Sequence, residues 1–517
     1  MGLPSLLSEY NERMLGALFR VKSITQESEQ PEEVRLKRVL GSFELLLLGI
    51  GAIVGAGIFA VTGTAAAGLW DPVTSMLLRP GAGPAIVVSF LVTSLACALC
   101  ALCYAELASL IPMSGSAYTY AYATMGEVVA WVIGWDLILE YAFGNVPVAV
   151  SWSGYLLELL KGFGLEVPEG LAWLTVSYAQ GLARPEVLAL APRLFGHPMF
   201  FNLPAFGVVV FITALLVVGI KESARFNALL VCVKLVILLF FILVGAFYVK
   251  PENWHPFAPF GWNGVMTGAA LVFFAYIGFD AISTTSEETK NPKKDVPFGI
   301  LGSLIACTIL YVLVAGVLTG LVPYRQLGVA EPLALVLRVI GLNFAAGIVA
   351  FGALIATTTV LLVFHIGQTR ILFAMSRDGL LPPVFARIHP HFRTPHVATM
   401  ITGVVVALVA GFIDIGEAVE LSNIGTLFAF VLVSFGIIVL RHKSPYLERP
   451  FRVPFVPWLP LLGASFCFYL MASLPWVTWV RFFVWLGLGL VVYLGYGLRH
   501  SRLQKGKGRR SISDDRP

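Results

Sequence analysis

The sequence predicts an all-α integral membrane protein of about twelve transmembrane helices, at about 20 residues per span. Three observations carry that expectation. Of 517 residues, 58% are hydrophobic and 13% charged, with a mean hydropathy of +0.84, a balance that excludes a soluble domain with a large core. Apolar stretches long enough to cross a bilayer recur along nearly the whole chain. Two of them are interrupted by glycine or by acid where an ordinary span carries neither.

Residues 1–40 are polar and charged, without the apolar stretch and small-residue cleavage site of a signal peptide, and read as a cytoplasmic N-terminal segment. Spans are expected at 42–67, 84–110, 127–158, 202–219, 225–248, 264–287, 298–322, 344–375, 396–413, 418–440, 458–475 and 479–498. In the first, Gly49, Gly51, Gly55 and Gly57 crowd an uncharged run. Glycine costs a helix interior about 0.5–1 kcal/mol against alanine. Hydrocarbon cannot satisfy a loosened turn, so irregular backbone belongs where it lines a cavity. Close helix packing of the small-xxx-small kind, which Gly51 and Gly55 alone satisfy, is the competing explanation.

The second span carries Cys97, Cys100 and Cys103 along one side, with no histidine beside them; these and Cys232, Cys307 and Cys467 read as small buried hydrophobes rather than metal ligands or disulfides. No glycine-rich phosphate loop followed by lysine supports ATP-driven chemistry, and no cofactor is expected. The sixth span contains Gly278 and Asp280, an acid that costs at least about 2.5 kcal/mol on insertion scales. Two interruptions five spans apart point to an inverted repeat with a site between its halves.

Basic residues set the orientation. Lys221 and Arg225, Lys290, Lys293 and Lys294, Arg377, Arg387 and Arg393, then Arg441, Lys443, Arg449 and Arg452 fall in alternate loops. Arg13, Arg20, Arg35, Lys37 and Arg38 precede the first span; Arg499, Arg502, Lys505, Lys507, Arg509 and Arg510 follow the last. Both termini are therefore expected in the cytoplasm, in a plasma (inner) membrane. The net charge of +5 suits topology signals and anionic lipid headgroups and needs no nucleic acid.

The glycine run of the first span, Tyr104-Ala105-Glu106, residues 112–118, residues 135–141, residues 221–227, Phe273 to Asp280, Gln368-Thr369-Arg370, residues 376–382 and Ile424-Gly425-Thr426-Leu427 resemble, in colinear order, the amino acid-polyamine-organocation superfamily. Within it the chain looks most similar to bacterial members of the cationic amino acid transporter family. The resemblance implies a LeuT-like fold: a first five-helix repeat over 41–249, a second over 250–440, two additional helices over 441–500 and a basic cytoplasmic tail over 501–517. It also implies a secondary active transporter that imports L-amino acids by alternating access, coupled to protons.

For a carboxylate and an ammonium on one carbon, half-helix ends supply facing donors and acceptors. The resemblance puts the amides of Gly55, Ala56 and Gly57 on the carboxylate, at the positive end of a half-helix, and the carbonyls of Ile53, Phe274, Ala275 and Ile277 on the ammonium. Phe274 resembles the aromatic gate over an occupied site. Ala56 departs from relatives with a hydroxyl there. The resemblance places Lys234 where proton-coupled relatives have a lysine in place of a sodium ion, against the alternative of a lysine snorkelling from a helix end. Glu140 and Asp280 are read as acidic groups on the pocket or proton path, or as structural hydrogen-bonding residues.

Phe364, by alignment beside the substrate side chain, would shorten the pocket and favour small or medium neutral L-amino acids; a cationic amino acid facilitator is the alternative. His365 is either a proton relay or a hydrogen-bonded packing residue. Trp70, beside the Asp71-Pro72 turn, opens an external segment over 69–83 of unassigned role. The spans offer no convergent nucleophile, base and metal set, so no enzyme is expected; a non-transporting amino acid sensor would keep the same site.

Overall fold

A computed structural model describes residues 40–70, 76–111, 116–182, 184–219, 224–280, 282–283 and 289–502. The N-terminal basic residues, the Asp71-Pro72 turn, residues 112–115 of the second-span motif, Lys221 to Ser223, Ala281 and the tail beyond Arg502 lie outside them.

The described chain is mainly helical, as hydrocarbon requires of a backbone whose amides must find partners within their own segment. The first span is a broken pair. Helix α1 (Ser42–Ile53) ends where Val54 turns to extended backbone, and a π-helical turn (Gly57–Val61) leads into α2 (Thr62–Ala67). The two halves meet at a bend of 41°. A short antiparallel hairpin, β1 (Leu69–Trp70) and β2 (Leu77–Arg79), follows. Then come α3 (Ile86–Leu110), α4 (Ser116–Thr124) and α5 (Glu127–Gly162).

After short helical turns come α6 (Leu203–Val218), whose first turn is capped by Asn202, and α7 (Ala224–Ala246). The second interrupted span is α8 (Gly261–Val272), tightening into a 3-10 turn at Phe273–Tyr276 before Ile277 becomes extended and Gly278 adopts φ +120. The remainder is α9 (Pro292–Leu321), α10 (Pro332–Val339), α11 (Asn343–Arg377), α12 (His396–Phe412), α13 (Ile415–Lys443), α14 (Trp458–Ala472) and α15 (Trp476–Val492).

By length and composition, six described helices can cross a membrane, the broken pair is a seventh candidate, and α6, α12 and α14 are shorter apolar helices. The 36 residues of α5 rise about 54 Å, enough to cross although the helix carries Asp136 and Glu140. Helix α5 packs on α11 and α13, α9 on α1 and α3, and α6 on α12. The broken segments are buried in this bundle: every residue of Gly57–Val61 and of Phe273–Tyr276 is buried.

Buried ion pairs close the bundle at both ends. At one, Glu106 holds Arg441 and Arg449 and accepts from the Val453 amide at 2.7 Å. At the other, Arg79 of the hairpin pairs with Glu420 of α13, which also accepts from the Thr478 hydroxyl of α15 at 2.8 Å. The hairpin that carries Trp70 is braced again by Arg325, 4.7 Å over the Trp70 ring, and by Phe260, whose ring centroid lies 6.2 Å away.

Candidate functional site

The two interruptions meet. A β-carbon on Gly57 would collide with the Cα, Cβ and N of Ala275, so only glycine lets the first break approach the second backbone to backbone. Gly278 repeats the relation from the other side: its added carbon would stand 2.8 Å from the carbonyl oxygen of Ala52. Gly51 and Gly55 serve packing, against Val231 and Val360 respectively. The packing explanation of the glycine run thus holds for Gly51 and Gly55, whereas Gly57 stands at the break itself.

The freed carbonyls are distributed among side chains from other helices. Lys234 of α7, 1% exposed, donates from Nζ to Gly51 O at 2.9 Å and to Val54 O at 3.1 Å, at the end of the first half-helix where the break begins. A snorkelling lysine would instead reach the bundle surface. Tyr311 of α9 points its hydroxyl at Ile53 O (2.9 Å) and Ala275 O (3.1 Å), tying one carbonyl of each break together. Both carbonyls were expected to serve the ammonium, and each keeps one further lone pair. Gly55 O is occupied by the amides of Ile58 and Phe59 at 3.2 and 3.3 Å, closing the turn that starts the second half-helix.

A chain of three rings leads from the second break into the bundle. Phe364 of α11 lies edge-on to Tyr141 of α5, with centroids 5.7 Å apart, and to Phe274 of the second break, 6.4 Å apart. Gly144 of α5 makes room for it: a β-carbon there would stand 3.0 Å from the Phe364 ring. The ring expected to gate the site and the ring expected to shorten it are thus neighbours.

Glu140 and Asp280 are both buried, at 3% and 4% exposure. The Glu140 backbone carbonyl accepts from Ser422 of α13, and its Oε2 has no hydrogen-bond partner among the described residues. The Asp280 carbonyl accepts from Ser283. His365 has its Nε2 3.3 Å from the Thr399 carbonyl of α12. Cys97, Cys100 and Cys103 are buried in α3, with Cys100 Sγ 3.4 Å from Cys467 Sγ of α14; Cys232 is exposed on α7.

Sequence reasoning missed Tyr311 and Asn423. Tyr311 lies in an ordinary apolar run, Leu310-Tyr311-Val312, where nothing marks it. Asn423 did carry a signal, an amide beside Ile424-Gly425-Thr426-Leu427 at membrane depth.

Residues 40–494 match the amino acid permease family. The chain is 50% identical over 494 residues to the branched-chain amino acid permease BcaP of Bacillus subtilis (strain 168), an alignment covering 95% of this chain and 100% of that protein. It is 47% identical over 491 residues, with the same coverage, to the methylthioribose transporter of the same organism. Human cationic amino acid transporter 4 is more distant, at 30% identity over 623 residues covering 97% of this chain and 93% of that one.

Proposed function

Because the chain belongs to the amino acid permease family of the amino acid-polyamine-organocation superfamily, we propose that this multi-pass amino acid transporter takes up neutral L-amino acids through a site between its two broken helices. The observation that carries this reading is the contact of Gly57 with Ala275, which brings two interrupted segments together inside the bundle. Donors at the start of the second half-helix, Gly55, Ala56 and Gly57, face the substrate carboxylate. Carbonyls of Ile53, Phe274, Ala275 and Ile277 accept from its ammonium.

A five-plus-five inverted repeat, followed by α14 and α15, accounts for the packing order. Counting the broken pair as one span, the second packs on the seventh, the third on the eighth and the fourth on the ninth. Such a repeat rocks about a fixed central site and exposes it alternately to the two sides. Both termini then face the cytoplasm of a bacterial inner membrane.

Lys234 is the group we assign to proton coupling. A charged Nζ on Gly51 O and Val54 O holds the first break in one shape, and losing the proton takes the charge assistance from those bonds and weakens them. Glu140 and Asp280, both buried, are the acidic groups we assign to the pocket or the proton path.

For the side chain, Phe274, Phe364 and Tyr141 offer ring edges, favouring an apolar group. Branched side chains fit that lining, in line with the printed name of the 50% relative. Methylthioribose, named for the 47% relative, carries neither carboxylate nor ammonium, so it would leave the half-helix donors without their anion. The test is displacement of labelled leucine from purified protein by unlabelled valine, alanine, arginine and methylthioribose. Displacement by neutral amino acids in preference to arginine and the sugar is expected. Preferential displacement by arginine would install the cationic alternative, and preferential displacement by methylthioribose would remove amino acids as the substrate class.

A further inference from the structure

The second break is held by a side chain from another helix, as the first is by Lys234. Asn423 of α13 is fully buried, and its Nδ2 donates to Ala270 O at 2.7 Å and to Leu271 O at 3.0 Å. Those carbonyls end α8, where α-helical spacing gives way to the 3-10 turn of Phe273–Tyr276 and the regular donors four residues on are displaced. The amide orientation is fixed by chemistry: two carbonyls only accept, so nitrogen must face them. Lys234 and Asn423 also occupy matching places, on the fifth and tenth spans, each binding carbonyls at the end of the first half-helix in the span that opens its own half.

Unlike Lys234, Asn423 has a second polar atom. Its Oδ1 is buried and has no hydrogen-bond partner among the described residues. A buried amide oxygen left unpaired destabilises the structure, and native proteins provide it with a donor. With Nδ2 pinned on α8, Oδ1 is held on the same planar amide where α13 packs against both Gly57–Val61 and Phe273–Tyr276. A cationic N–H donor placed between the two breaks would satisfy it.

We propose that Asn423 is a substrate-binding residue: Nδ2 positions the second break, and Oδ1 accepts a hydrogen bond from the α-ammonium of the bound amino acid. The proposal rests on the amino acid reading above. The experiment compares binding of leucine with that of its 2-hydroxy acid analogue, which keeps the carboxylate and side chain and replaces the ammonium by a hydroxyl. The measured quantity is the ratio of the two affinities, in wild type and in Asn423→Ala.

A residue that only supports the break would weaken both ligands alike and leave the ratio unchanged. Loss of a bond to the ammonium lowers the ratio by at least about tenfold, because hydrogen bonds to charged groups are the stronger ones. An unchanged ratio overturns the proposal. If Asn423→Ala does not fold, the ratio is read in Asn423→Asp, whose carboxylate beside the ammonium should widen it; an unchanged or lowered ratio there overturns the proposal. A wild type that binds neither ligand would instead overturn the amino acid reading on which this one stands.

Discussion

Gly57 and Ala275 are pressed backbone to backbone, with no room for a single methyl group between the first interrupted helix and the second. The contact makes the two breaks one unit. A change in the shape of either must be felt by the other, and Tyr311, with its hydroxyl shared between Ile53 O and Ala275 O, adds a polar tie across the same seam.

Gly57→Ala should therefore fail in two ways at once. The added methyl meets Ala275 backbone atoms, which cannot rotate aside as a flexible side chain would. Overpacking of this kind costs about 1–3 kcal/mol. A lowered melting temperature in detergent together with lost substrate affinity is the expected result; wild-type affinity in a folded Gly57→Ala protein would remove the break from the site.

Lys234→Met keeps most of the side-chain volume and removes both donors to Gly51 O and Val54 O. Accumulation driven by a pH gradient should be lost. Uptake by Lys234→Met in proteoliposomes at the wild-type level under an imposed gradient would place the coupling group elsewhere.

Phe364→Ser removes the ring that touches both Tyr141 and Phe274. The pocket lengthens, and arginine should compete better against labelled leucine than it does in wild type. Strong competition by arginine already in the wild type would contradict the steric role given to this ring.

Arg79 and Glu420 are paired at 5% and 6% exposure, and breaking a buried pair from one side costs more than replacing both partners. Arg79→Met should lower the melting temperature, by an amount corresponding to about 3–5 kcal/mol, and Glu420→Met added to it should recover a large part of the loss. Additive losses in the double variant would mean that the two side chains do not act as a pair.

The helical membrane class was legible in the sequence because hydrophobic length is a one-dimensional property: a run such as 86–110 spells its helix without reference to any neighbour. The two breaks were legible for the same reason, since Gly55, Gly57, Gly278 and Asp280 are local violations of a span. What joins the breaks was not. Tyr311 and Asn423 act through contacts 36 and 153 residues away in the chain, and an isolated tyrosine or asparagine in an apolar run reads the same whether it faces lipid, a neighbour or a substrate. The division of labour among the glycines was equally hidden. Gly51 against Val231 and Gly57 against Ala275 look alike in sequence, and only the partner distinguishes packing of a helix on a side chain from contact between two opened backbones.

The most direct test of the account is uptake of labelled leucine into proteoliposomes holding the wild-type protein, measured with and without an inwardly directed proton gradient, beside Gly57→Ala as the control for the meeting of the two breaks. The account predicts accumulation above the external concentration only when the gradient is imposed, and none in Gly57→Ala. Equal uptake with and without the gradient would contradict proton coupling, and leucine that binds but never enters would make the protein a sensor rather than a transporter.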